Sequence, residues 1–390
     1  MITLALAGKP NCGKSTFFKA ATMAQVEIAN YPFTTIDANN GVAYVRTRCP
    51  CQDLGINGCG NCTGGVRFVP VALIDVAGLV PDAHKGRGLG NQFLDNLRQA
   101  DAIIHVVDAS GATDAEGNPV DPGSHDPRED IRFLEHEMTM WVVGILGKHW
   151  PRLQRQAQQR TFDIIDGVAD VLAGLGITYE DVKDTADELG IDLRRTGEED
   201  LEPFCERLLQ RTKPVLFIGN KMDTATPEML SGLKDLGAVP VSAAAELAVR
   251  MAADGGFIEY VPGDPSFAIK PETNLSAQQR AGLEKIAVLM AEHGGTGVQG
   301  VIDRAVYELL DQIVVYPVED EHHYTDKQGR VLPDAFLMRR GSTPRDLAFR
   351  VHSDIGEGFL YAVDARSGMR IKESTELKDG DIIKIVSTKK

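Results

Sequence analysis

The chain has 390 residues, too many for one compact core, so two or three domains are expected. A formal net charge of -15 excludes a surface uniformly coated with nucleic acid, and no DNA partner is predicted, although local basic runs such as Met338-Arg339-Arg340 leave an RNA-containing partner open. No run of about 18 apolar residues exists and the first residues form no basic leader, so the expectation is a cytoplasmic protein with no membrane association.

Residues 2–7 are apolar and strand-like, and residues 14–24 have helix-forming composition. Between them lies Gly8-Lys9-Pro10-Asn11-Cys12-Gly13-Lys14-Ser15. A G-x-x-x-x-G-K-S run between strand and helix turns the backbone N–H groups of Asn11, Cys12, Gly13, Lys14, Ser15 and Thr16 toward a phosphate chain. Gly13 permits close backbone approach, Lys14 reaches the β- and γ-phosphates as a catalytic cation, and Ser15 is a Mg²⁺ ligand. The polar loop Asn30-Tyr31-Pro32-Phe33-Thr34-Thr35 offers hydroxyls to complete the Mg²⁺ shell, with Thr35 preferred over Thr34.

Cys49-Pro50-Cys51 and Cys59-Gly60-Asn61-Cys62 place four of the six cysteines in one short loop between two strands. Without a secretory signal they read as a metal site or plain thiols rather than disulfides. Four thiols suit a structural Zn²⁺, while the C-x-C pair is tighter than the usual spacing and leaves reduced surface thiols as the alternative. Cys12 and Cys205 are assigned packing roles only.

A second strand over residues 69–76 ends in Asp75-Val76-Ala77-Gly78, where a carboxylate can hold water on Mg²⁺ and a glycine N–H can meet the γ-phosphate. The next residue is Leu79, which cannot orient an attacking water as a glutamine would. Three substitutes are weighed: His84 in the glycine-rich stretch 81–90, a monovalent cation such as K⁺ held partly by Asn11, or a group from a partner.

A third strand is expected over 102–108. Residues 126–211, rich in Glu, Arg, Gln and Leu, follow as a helical insertion, with Phe133, Met140, Val143 and Ile145 on its apolar side and Arg132, Glu135, Glu137 and Lys148 solvated. A fourth strand, 214–219, leads into Asn220-Lys221-Met222-Asp223, and a fifth, 238–242, into Val241-Ser242-Ala243. A carboxylate at Asp223 accepts from the ring N1–H and exocyclic amine of guanine, whereas adenine presents an acceptor at N1. The Lys221 stem can lie over the base, and backbone N–H groups near Ser242 and Ala243 can reach its O6. From residue 313 the chain changes to short alternating segments, 313–317, 335–339, 359–363 and 381–386, with a helix start at Ser342-Thr343-Pro344.

The expected fold is α/β: a G domain with a mostly parallel sheet from residues 1–125 and 212–312, interrupted by the helical insertion 126–211, then a small α+β module from 313–390. The motifs quoted, with Gly86-Arg87-Gly88-Leu89-Gly90-Asn91-Gln92-Phe93-Leu94 and Leu332-Pro333-Asp334-Ala335-Phe336, resemble the YchF or Obg-like ATPase family of translation-factor-related GTPases, archaeal type, over nearly the whole chain. The resemblance implies a helical hairpin within the G domain, a hydrophobic residue in place of the catalytic glutamine, a C-terminal ubiquitin-like TGS domain, and association with ribosomes. Bacterial and eukaryotic members prefer ATP with a base-reading motif ending in Glu; here Asp223 points to GTP. The expectation is a slow, Mg²⁺-dependent GTPase acting as a ribosome- or RNA-associated switch. An ATPase of the same fold and a non-hydrolysing RNA-binding scaffold are the alternatives.

Overall fold

The structure, a computed structural model, describes residues 1–23, 39–56, 59–76, 78 and 98–389. Its centre is strand β1 (Thr3–Ala7), which runs into a glycine-bearing loop and helix α1 (Lys14–Thr22). Strands β2 (Asn40–Arg48), β3 (Val66–Asp75) and β4 (Ala102–Asp108) follow. β4 is buried at every position, which requires cover on both faces of the sheet.

Four helices come next: α2 (Pro127–Ala157), α3 (Ile164–Leu172), α4 (Tyr179–Leu189) and α5 (Leu201–Thr212). Asp126 caps α2 by accepting from the Arg128 N–H ahead of a first-turn proline, and Thr178 with Asp181 forms a capping box on α4. The buried stripe of α2 is Ile131, Leu134, Met138, Val142, Leu146, Trp150 and Leu153, spaced by three and four. This corrects the face expected from the sequence: Phe133, Met140, Val143 and Ile145 are half-buried, and Glu137 is buried rather than solvated. The insertion is no free-standing arm. Leu134, Met138 and Phe204 share one apolar cluster with Ala5, Ala7 and Ile103 of the sheet.

The chain returns through β5 (Val215–Asn220), α6 (Pro227–Asp235), β6 (Val239–Pro240) and α7 (Ala243–Asp254). A small hairpin of β7 (Ile258–Glu259) and β8 (Ala268–Ile269) precedes α8 (Ala277–His293) and α9 (Val298–Arg304). The six-stranded sheet has order β2-β3-β1-β4-β5-β6, all parallel except β2 against β3. β2 is an addition to the strands read from the sequence; its Ala43 and Val45 alternate with partly exposed Tyr44 and Arg46, as a half-buried edge strand requires. Because β3 and β4 lie on opposite sides of β1, the strand order reverses at the carboxyl end of β1, where α/β sheets form their ligand crevice.

The C-terminal part contains β9 (Gln312–Val318), β10 (Phe336–Arg339), α10 (Pro344–Val351), α11 (Ser353–Glu357), β11 (Phe359–Asp364), β12 (Met369–Ile371) and β13 (Ile382–Ser387). Its five-stranded sheet has order β10-β9-β13-β11-β12, with β9 and β13 parallel. Thr343 caps α10 together with Asp346, and Pro344 stands in the first turn. A G domain with a mostly parallel sheet, a helical region and a small C-terminal α+β domain is the fold class expected from the sequence. Among the described residues, no helix is long and apolar enough to cross a membrane.

Candidate functional site

The loop after β1 takes a path that side chains would obstruct. Gly8 and Gly13 have φ of 141° and 98°, and a Cβ on Gly13 would meet the Asn220 amide at 2.2 Å. Asn11 also adopts positive φ and its Nδ2 donates to the Gly117 carbonyl at 2.9 Å, so the loop is held from residues 110–125 as well. Lys14 is buried and its Nζ donates to the carbonyls of Gly8, at 3.0 Å, and Lys9, at 2.8 Å. Thr16 lies in the first turn of α1, half-buried.

Ser15, in the first turn of α1, and Asp75, at the end of β3, meet: the Ser15 hydroxyl donates to Asp75 Oδ2 at 2.7 Å. The other carboxylate oxygen, Asp75 Oδ1, is buried with no partner among the described residues. A hard cation with its waters is the ligand that such a hydroxyl–carboxylate pair at a phosphate loop accommodates. Gly78 brings the end of the same segment against the loop, since a Cβ there would come within 2.9 Å of Pro10 N.

On the far side, Asn220 fastens two loops with one amide. Its Nδ2 donates to the Cys12 carbonyl at 3.0 Å and its Oδ1 accepts from the Ala243 N–H at 3.1 Å. Lys221, at φ 63°, sends its Nζ to Asp108 Oδ2 at 2.8 Å. Burial alone would raise the Asp108 carboxyl; donation from Lys221, Ser110 and Thr113 outweighs it and holds the group below its ordinary range. Asp223 is exposed, and its Oδ1 accepts from the buried Ser242 hydroxyl at 2.7 Å. Ser242 also caps α7 by accepting from the Ala245 N–H. The carboxylate is thereby steered without being covered.

The sequence-predicted residues Asn11, Cys12, Gly13, Lys14, Ser15, Thr16, Asp75, Gly78, Asn220, Lys221, Asp223, Ser242 and Ala243 thus gather at the carboxyl edge of one sheet. Thr35, Leu79 and His84 lie outside the described residues, as do residues 86–94.

Comparison with known proteins agrees along the chain. Residues 3–143 match the family described as 50S ribosome-binding GTPase, residues 218–320 the Obg-like GTPase YGR210-like, G4 motif-containing domain, and residues 321–387 the TGS domain. An uncharacterised GTP-binding protein of Methanocaldococcus jannaschii is 47% identical over 399 residues, covering 100% of both chains. The ribosome-binding ATPase YchF of Haemophilus influenzae is 30% identical over 375 residues, covering 92% of this chain and 86% of that protein. The chain belongs to the YchF/Obg-like GTPase family. A crystal structure of a GTP-binding protein from Pyrococcus horikoshii shares this YchF/Obg-like architecture, with a TM-score of 0.78 at 40% identity over 99% of this chain and 100% of that one.

Several residues at the edge of this YchF/Obg-like site escaped the sequence reading. Lys9 Nζ pairs with Asp130 Oδ2 at 2.7 Å and donates to the Thr113 carbonyl at 2.8 Å, and Asp130 Oδ1 lies 2.8 Å from His125 Nε2. The Lys9 and Asp130 side chains are 2% and 7% exposed. This buried pair joins the phosphate loop to the first turn of α2. Asp108 and Thr113 were equally missed: Asp108 binds nearby Ser110 and Thr113, but the partners that tie the two into the site, Lys221 and Lys9, lie about a hundred residues away, and a polar residue ending a mostly apolar strand was the available signal for Asp108. His105, on β4, is buried, and burial, with Lys14 and Lys9 nearby, holds its ring down at about 3, so it stays neutral.

Proposed function

We propose that the chain is a Mg²⁺-dependent GTPase that turns over slowly and acts as a ribosome- or RNA-associated switch. The observation that carries the choice of GTP is the base-reading corner: an exposed Asp223 carboxylate oriented by Ser242, beside an Asn220 that ties it to the phosphate loop. Two charge-assisted hydrogen bonds from guanine to Asp223 favour GTP, while adenine would turn an acceptor toward the carboxylate.

Backbone N–H groups of residues 11–16 and the Lys14 ammonium hold the phosphate chain, with Lys14 leaving the loop carbonyls for the β- and γ-oxygens. Ser15 and Asp75 hold Mg²⁺, with Thr35 assigned to complete the shell. The cation neutralises charge on the β- and γ-phosphates when bound. Leu79 has no group to orient water, so intrinsic hydrolysis is slow, and the missing function falls to His84 or to a group that a partner supplies. Asn11 spends its amide N–H on Gly117, which leaves its Oδ1 as the atom available to a K⁺ ion.

Relatives named ribosome-binding ATPases support the partner class. They also make ATP the rival substrate. The switch reading is tested by phosphate release from GTP with and without purified ribosomes: stimulation of tenfold or more, lost in Lys14→Ala, is expected. Ribosome binding without any turnover would favour the scaffold reading.

A further inference from the structure

A second cluster of reactive side chains lies at the other end of the sheet edge strand. Cys49 follows β2, Cys51 stands in the turn beyond it, and Cys59 and Cys62 precede β3. The Sγ–Sγ separations are 3.7 Å for Cys49–Cys59, 3.6 Å for Cys51–Cys62 and 3.4 Å for Cys59–Cys62, and all four sulfurs lie within 4.8 Å of one another. A tetrahedron with metal–sulfur bonds of about 2.3 Å has edges of about 3.8 Å. The four sulfurs therefore already approximate a closed tetrathiolate shell, and the tight C-x-C pair does not prevent it.

Two buried polar groups near the thiols lack partners among the described residues. Arg67, nearly fully buried, keeps its Nη1 without a partner among the described residues, and so does the hydroxyl of the fully buried Tyr316. Both groups are close enough to interact electrostatically, and Tyr316 also feels the sulfurs of Cys49 and Cys51. Neither donates to a cysteine sulfur, but Tyr316 shares the apolar cluster of Cys49, Cys51 and Cys59, which places its unpaired hydroxyl, with Arg67 beside it, near the thiols.

The cysteine loop is also what the C-terminal domain rests on. Asn61, between ligands Cys59 and Cys62, donates to the carbonyls of Val331 at 3.0 Å and Leu332 at 3.3 Å. Arg67 donates to the Pro333 carbonyl at 3.0 Å. Leu332 is fully buried and, with Ala335 and Tyr316, joins the apolar cluster that contains Cys49, Cys51 and Cys59. We propose that Cys49, Cys51, Cys59 and Cys62 bind one Zn²⁺, and that this metal-set loop is the block that fixes the C-terminal domain to the G domain.

The full chain, expressed with zinc in the medium and purified without chelator, should carry one zinc per chain. Its four loop thiols should resist alkylation until an organomercurial releases the metal, and Co²⁺ in place of zinc should show the intense visible absorption of a tetrahedral tetrathiolate. Zinc removal should speed hydrogen exchange at residues 331–337 by about tenfold or more while the amides of β1 and GTP affinity hold. Asn61→Ala should retain zinc yet loosen the same amides, which separates docking from metal binding and does not depend on a cysteine variant folding. Cys62→Ser should lower zinc affinity by about tenfold or more. Metal-free protein with four freely reacting thiols, a mass showing disulfides instead, or unchanged protection of residues 331–337 after zinc removal would each overturn the proposal.

Discussion

Two polar clusters flank the phosphate loop, and they differ in whether the protein itself satisfies them. On the side of α2, Lys9 has both a carbonyl and a carboxylate, and Asp130 has the Lys9 ammonium as ion partner at Oδ2, outside hydrogen-bond geometry, and His125 at Oδ1. At the ligand-facing edge, Asp75 at the end of β3 keeps a buried oxygen without a partner among the described residues, and Asp223 beyond β5 stands exposed with one oxygen steered by Ser242. Buried charges that are paired within the protein hold the chain together; unpaired, oriented ones are shaped for a ligand. The difference teaches which variants should damage the fold and which should damage binding alone.

The largest effect is expected where the buried charges are paired. Lys9→Met leaves Asp130 buried without its cation and should destabilise the protein by about 3–5 kcal/mol, read by urea unfolding of the nucleotide-free protein. Asp223→Asn should leave that unfolding curve in place while weakening GTP about a hundredfold, about 3 kcal/mol, measured by calorimetric titration. If instead Asp223→Asn unfolds the protein and Lys9→Met is silent, the comparison fails. Asp75→Asn should raise the Mg²⁺ concentration needed for half-maximal nucleotide retention by about tenfold, about 1.4 kcal/mol, with little change in stability.

The smallest effect concerns a carboxyl outside both clusters. Burial pushes Asp303 up to about 7, against donation from the Arg46 N–H and Gln299. The folded state then holds a proton that the unfolded state has released, so this group removes stability as pH rises from about 4 to about 7. Asp303→Asn should therefore raise the unfolding free energy at pH 8 by about 1 kcal/mol, read by urea unfolding, and raise it less at pH 5.

What the sequence disclosed followed the range of the interactions. The loop Gly8 to Ser15, the Asp75 and Gly78 pair, and residues 220–223 are local patterns at the ends of apolar strands, so their gathering at one sheet edge follows from parallel strand order. Lys9–Asp130, Asp108–Lys221 and Asn61–Leu332 join residues a hundred or more apart, and nothing in either partner's neighbourhood announces them. The face of α2 was misread because positions 133, 140, 143 and 145 mix two sides of a helix, whereas 131, 134, 138, 142 and 146 keep one. β2 escaped because an edge strand with Tyr44, Arg46 and Arg48 carries only a weak apolar signal.

On the function proposed above, Asp223 makes this member a reader of guanine. Competition of GTP against ATP for the full chain, in Mg²⁺ and with a fluorescent GTP analogue as reporter, tests it directly. GTP should displace the reporter at a concentration at least about a hundredfold lower than ATP, and Asp223→Asn should narrow the gap. Equal or tighter competition by ATP would contradict it.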